Sequence, residues 1–172
     1  MNRVYISIGS NQDTVRHVRS ALDALYERFG DLLISSVYES EAVGFEGENF
    51  LNLVVGLDTD ESLGSLADWL KAVEDSNGRQ RNVARYSSRT LDLDILTYGD
   101  HVGEPEGVQL PRREILKNAF VLKPLAEIAA DELHPTEQRS YGALWADYSR
   151  DQRLWAIPFE WRGQAISPRC AP

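Results

Sequence analysis

The order in which hydrophobic periods change along the chain narrows its folding options more than any other feature. "VYISI" (4–8) is a compact apolar run closed by the turn residues "GSNQ". Val15, Val18, Leu22, Leu25 and Phe29 then recur at helical spacing, with Asp13 or Thr14 as N-cap and Gly30 as the stop. "LLISSVYES" (32–40) reads as a strand and "FEGEN" (45–49) as a polar loop. "FLNLVVGLDT" (50–59) is a third strand, with Leu51, Leu53, Val55 and Leu57 on one face and Phe50, Asn52 and Val54 on the other. Leu63, Leu66, Leu70 and Val73 mark a second helix, ended by "SNG" (76–78). "RQRNVARYSSR" (79–89) has no amphipathic period and reads as a loop before a fourth strand at 90–98. The sum is β-α-β-β-α-β, which predicts an α+β sandwich of ferredoxin-like type.

Beyond that frame come a loop rich in glycine, proline and acids (99–107), a short helical turn and a helix near 120–131. A C-terminal helical extension is therefore expected, although the last stretch, with Trp145, Trp155 and Trp161, gives no clear period. The length of 172 residues suits a single domain. A formal net charge of −9 argues against nucleic acid or an anionic membrane as partner. No apolar run approaches the ~20 residues needed to span a bilayer. "MNRVYISIGS" enters a strand at once, without the basic and apolar segments of a leader. The one cysteine, Cys170, excludes an intrachain disulfide or a cysteine metal cluster. A cytoplasmic monomer acting on small molecules is expected.

Chemistry concentrates at "RTLDLDIL" (89–96). On a strand, Asp92 and Asp94 project from one face, about 7 Å apart, while Leu91, Leu93 and Ile95 project from the other. Paired carboxylates repel and are costly to bury unless a cation lies between them. They can hold Mg²⁺, or bridge two ions in a phosphoryl-transfer site, or form a solvated strand face. Arg79, Arg81, Arg85 and Arg89 crowd the loop just upstream. Metal on one side and guanidinium forks on the other would make a polyphosphate clamp; a salt-bridged surface loop is the plainer alternative. Phe50 and Asn52 share a strand face, so a ring and an amide could read a planar heterocycle or simply pack. Neither a Walker loop nor a kinase glycine loop is present.

Taken together, "ISIGSN", "FLN", "GRQR…SSRTLDLDIL" and "LP…NAFVLKPLAEIA" resemble the 6-hydroxymethyl-7,8-dihydropterin pyrophosphokinases of folate synthesis, over about residues 4–134. The resemblance implies a ferredoxin-like fold and transfer of a pyrophosphoryl group from ATP to the pterin hydroxymethyl, releasing AMP. It implies that Asp92 and Asp94 hold two Mg²⁺ ions bridging the ATP phosphates. Phe50, Tyr86 and Phe120 would line the pterin slot, with Asn52, Ser40 and Val43 reading its edge. Arg79 and Arg89 would serve the transfer, and Glu74, Arg81, Ile95, Arg112 and Arg113 the ATP side. Arg112 and Asn118 stand where the family has histidine and arginine, Tyr86 where it has tryptophan, and Glu41 where it has proline. A paralogue with another substrate, or a non-enzymatic module on the same fold, is a rival reading. The loops at 42–49 and 79–89 are expected to close over MgATP.

Overall fold

The computed structural model describes residues 1–41, 49–78 and 90–169. In chain order come β1 (Asn2–Ser10), α1 (Thr14–Phe29), β2 (Leu33–Ile34), β3 (Val37–Ser40), β4 (Phe50–Thr59), α2 (Leu63–Ser76) and β5 (Asp92–Tyr98). The strands form an antiparallel sheet in the order β5-β1-β4-β3, with β2 also paired to β4. Mixed α+β architecture is thus borne out.

The sheet separates two cores. Val4, Ile6, Ile8, Leu53, Val55, Leu93 and Ile95 face α1 and α2. On the other side Tyr5, Val54 and Leu96 are covered by α3 (Glu114–Lys117), α4 (Ala119–Ala129) and α5 (Tyr141–Ala146). A bulge makes this division possible at β5: Tyr5 pairs with Thr97 and Ile6 with Ile95, which leaves Leu96 as the extra residue. Tyr98 thereby returns to the α1–α2 side.

Three local expectations are corrected. Val15 is 43% exposed, and the buried face of α1 begins instead with His17, whose Nδ1 lies 2.6 Å from the Gln12 carbonyl. The strand expected at 32–40 is broken at Ser35–Ser36. Ser35 stays with β4, its N–H donating to the Val54 carbonyl (3.0 Å) and its Oγ accepting from the Val54 N–H (2.9 Å). Ser36 turns both its N–H and its hydroxyl to the carboxylate of Glu127, 91 residues further on. No local period can announce that.

The third correction concerns the C-terminal extension, which is only partly helical. β6 (Leu154–Ile157) adds to the outer side of β3, and β7 (Phe159–Trp161) pairs with β8 (Gln164–Ser167). Arg162 and Gly163 have positive φ (50° and 77°), as a tight hairpin turn requires. The hairpin packs on α1, where the Trp161 indole N–H donates to Asp23 (2.9 Å). "LWAI" lacks an alternating pattern because pairing with β3, rather than a buried face of its own, makes it a strand.

Candidate functional site

The site takes its shape from register. Asp92 pairs with Gly9, Gly9 with Asn52, and Asn52 with Tyr38, so these four residues form one row across the sheet. Beside it, Asp94 pairs with Ser7 and Ser7 with Val54. With strands ~4.8 Å apart, Asp92 and Asn52 stand roughly 10 Å from each other, with only the backbone of Gly9 between them. A Cβ at Gly9 would come within 3.1 Å of Asn52 Oδ1. The Asn52 amide donates to Ser40 Oγ (3.0 Å), and Ser40 pairs with Phe50. Phe120, in the first turn of α4, packs at the margin of the core that covers this face. The fold therefore brings Ser40, Phe50, Asn52, Asp92 and Asp94 to one face and sets Phe120 beside it.

Charge is concentrated at the Asp92 edge. Burial pushes the Asp94 carboxyl up to about 7, and the charge of Asp92 adds to the effect, with smaller contributions from Glu74 and Glu114. Arg112 opposes this, one guanidinium nitrogen lying 3.3 Å from Asp94 Oδ1 while its Nε is 3.0 Å from Glu114 Oε2. The Arg112 N–H also donates to the Leu96 carbonyl (2.9 Å), which ties the arginine's main chain to β5. Glu74 is buried on α2, and its Oε2 accepts the N–H of Leu93 (2.7 Å), closing the outer side of β5.

Other expected site residues lie apart. The Ile95 side chain points with Leu93 into the core beneath α1 and α2, away from the carboxylates, as strand alternation requires. Arg113 borders, with Leu110, Leu116, His134 and Thr136, a neighbouring cavity of about 350 Å³ that Arg112 also lines. Val43, Arg79, Arg81, Tyr86 and Arg89, and the expected closing loops apart from residue 49, lie outside the described residues. Glu114 carries no signal in the sequence, since its role as Arg112's second partner depends on the turn into α3. Gly9 carries one: a glycine inside a strand marks a close approach.

Among the described residues, no three acidic, histidine or cysteine side chains converge as a metal cage. The Asp92–Asp94 pair nonetheless suits Mg²⁺, which binds through one or two carboxylates and completes its shell with water and substrate phosphates. Burial and then like charges on one face raise Asp94, and a dication relieves that repulsion.

The chain is similar to known proteins in sequence and in fold. Residues 5–130 match the family model for 7,8-dihydro-6-hydroxymethylpterin-pyrophosphokinase (HPPK). The chain is 36% identical over 142 residues to a 2-amino-4-hydroxy-6-hydroxymethyldihydropteridine pyrophosphokinase of Haemophilus influenzae, covering 80% of this chain and 88% of that one. It is 38% identical over 136 residues to the protein of that name in Pseudomonas aeruginosa, covering 76% and 83% respectively. In fold it is similar to the crystal structure of Plasmodium falciparum HPPK-DHPS wild type with pteroate, with a TM-score of 0.67 at 13% identity, over 86% of this chain. The chain spans 44% of that longer protein.

Proposed function

The chain belongs to the 7,8-dihydro-6-hydroxymethylpterin-pyrophosphokinase family, and from that premise we propose how its residues divide the work. The reaction transfers pyrophosphate from ATP to the hydroxymethyl group of 6-hydroxymethyl-7,8-dihydropterin in folate synthesis, leaving AMP. Family members use ATP and Mg²⁺.

Asp92 and Asp94 would hold the magnesium, two ions in number, that accompanies ATP. When bound, the metal neutralises oxygen charge on the phosphates during transfer. The carboxylates must be ionised to do this, and Arg112 keeps Asp94 from rising further while it waits. On nucleotide arrival, Arg112 exchanges Asp94 for a phosphate oxygen and keeps Glu114 as its second partner. Arg79, Arg81 and Arg89 contribute further phosphate contacts, and Arg113 adds positive charge beside them. The pterin lies over Gly9, with Asn52 and Ser40 at its edge and Phe50, Tyr86 and Phe120 against its faces. Val43 meets the same edge through its backbone. Glu74 acts indirectly, by anchoring β5. No covalent nucleophile is needed, since in-line positioning of the hydroxyl suffices.

The observation that carries this reading is the row Asp92–Gly9–Asn52: two chemistries on one sheet face, a strand apart from each other. The strand order, with each crossing made by one helix, supports a ferredoxin-like topology. No helix among the described residues is long and apolar enough to cross a membrane. A monomer working in the cytoplasm fits a site drawn from one chain and supplied with ATP. To test the assignment, AMP and ADP are quantified after incubation with MgATP and the pterin. Pterin-dependent AMP should vanish in Asp92→Asn/Asp94→Asn. AMP formation that survives in that variant would refute the metal assignment.

A further inference from the structure

The segment after α5 touches the site from both sides. At the junction of α3 and α4, the Lys117 carbonyl faces three donors from this segment: Tyr148 hydroxyl at 2.6 Å, Gln152 Nε2 at 3.1 Å and an Arg150 guanidinium nitrogen at 3.4 Å. A carbonyl has two lone pairs, so Tyr148 and Gln152 are the working partners and Arg150 is marginal. Gln152 does more. Its Oε1 accepts the N–H of Ala119 at 2.6 Å, one of the free donors at the start of α4. Asn118, at the N-cap, makes no side-chain capping bond, so Gln152, 33 residues beyond Ala119, supplies it. The Tyr148 ring stacks on Trp145 (centroids 5.4 Å apart), and both pack against the core that holds Phe120.

Two residues beyond Gln152 the chain becomes β6, where Leu154 pairs with Ser40 and Trp155 with Glu39. The Trp155 indole N–H also donates to Glu39 (2.7 Å). Residues 148–155 thus run from the first turn of α4, which bears Phe120, to the end of β3, which bears Ser40. They span the slot.

We propose that this segment is a strap that sets the width of the pterin slot, and that Gln152 is its positioning residue, holding the start of α4 so that Phe120 stands at the right height over the sheet. The inference rests on the reading that Phe120 lines the pterin slot. It adds a residue outside the stretch matched by the family model, which ends at 130. Gln152 touches neither substrate; it acts through the main chain at Lys117 and Ala119.

The test measures pterin and MgATP affinities separately, by fluorescence or calorimetry, with a non-hydrolysable ATP analogue present for the pterin titration. Gln152→Ala should weaken pterin binding about tenfold, the size of effect expected from a sub-ångström to ångström misplacement, and leave nucleotide affinity unchanged. Tyr148→Phe, which removes one donor and keeps the ring stack, should give a smaller rise in pterin Kd in the same direction, and serves if Gln152→Ala does not fold. On a Phe120→Ala background, Gln152→Ala should add nothing. Pterin affinity within twofold of the parent in Gln152→Ala, an equal loss of nucleotide affinity, or independent losses in the double variant would each overturn the strap. Unchanged pterin binding in Phe120→Ala itself would overturn the slot reading, and the strap with it.

Discussion

Replacing Asp94 by asparagine should make the metal-free protein more stable and the loaded protein less so. In the folded chain the Asp94 carboxyl stands at about 7 against an ordinary 3.8, first through burial and then through Asp92. About 3 pKa units at 1.36 kcal/mol each set a ceiling near ~4 kcal/mol on what the ionised group costs the fold. The side chain keeps 30% of its surface exposed, so solvent screening reduces this to roughly 1–2 kcal/mol. For a chain of this size that is roughly 2–8 °C in Tm. The sign follows from the raised value. The stability linked to Asp94 is fully present below the unfolded value near 4 and is lost as pH rises through about 7. In chelator, the advantage of Asp94→Asn over the parent should therefore be small at pH 4.5, widen towards pH 7 and level off above about pH 8. Differential scanning calorimetry across that range reads it directly. With MgATP at 100 times its Kd, the parent should gain about 2.7 kcal/mol and overtake the variant. A variant less stable than the parent at pH 8.5 in chelator, or an advantage that shrinks as pH rises, would refute the electrostatic account.

Glu127→Ala should cost about 2–4 kcal/mol in urea unfolding with an unchanged m-value, because it leaves the buried Ser36 N–H unpaired and removes the acceptor of Tyr38 (3.0 Å) as well. Gly9→Ala should cost under ~1 kcal/mol of stability, since the atom it meets is a side-chain tip, yet weaken pterin binding about tenfold by displacing the Asn52 amide. Arg112→Met should lower kcat/KM for ATP by about 10- to 100-fold, which is the loss of one charge-assisted phosphate contact, and steady-state kinetics would show it. Unchanged kinetics would mean that Arg112 serves Asp94 alone.

Legibility in the sequence tracked the range of the forces involved. α1, α2, β1 and β4 announce themselves because each buries a regular stripe or face, and the bounds of β4 match the run that encodes it. Asp92 and Asp94 are conspicuous because carboxylates in a core-like strand need a reason. What stayed hidden is set at long range. The break at Ser36 depends on Glu127, the cradle of Asn52 depends on the register of β1, and β6 depends on β3 for its pairing. Ile95 illustrates the opposite case. Strand alternation alone places its side chain with Leu93 in the core beneath α1 and α2.

The strap constrains heredity in an unusual way. Its outer half holds β3 through main-chain pairing, which is indifferent to most side chains, and its inner half needs little beyond one amide and one phenol. Such a segment can drift in sequence and keep the same slot. The stretch matched by the family model ends at residue 130, before the physical obligation to the substrate does.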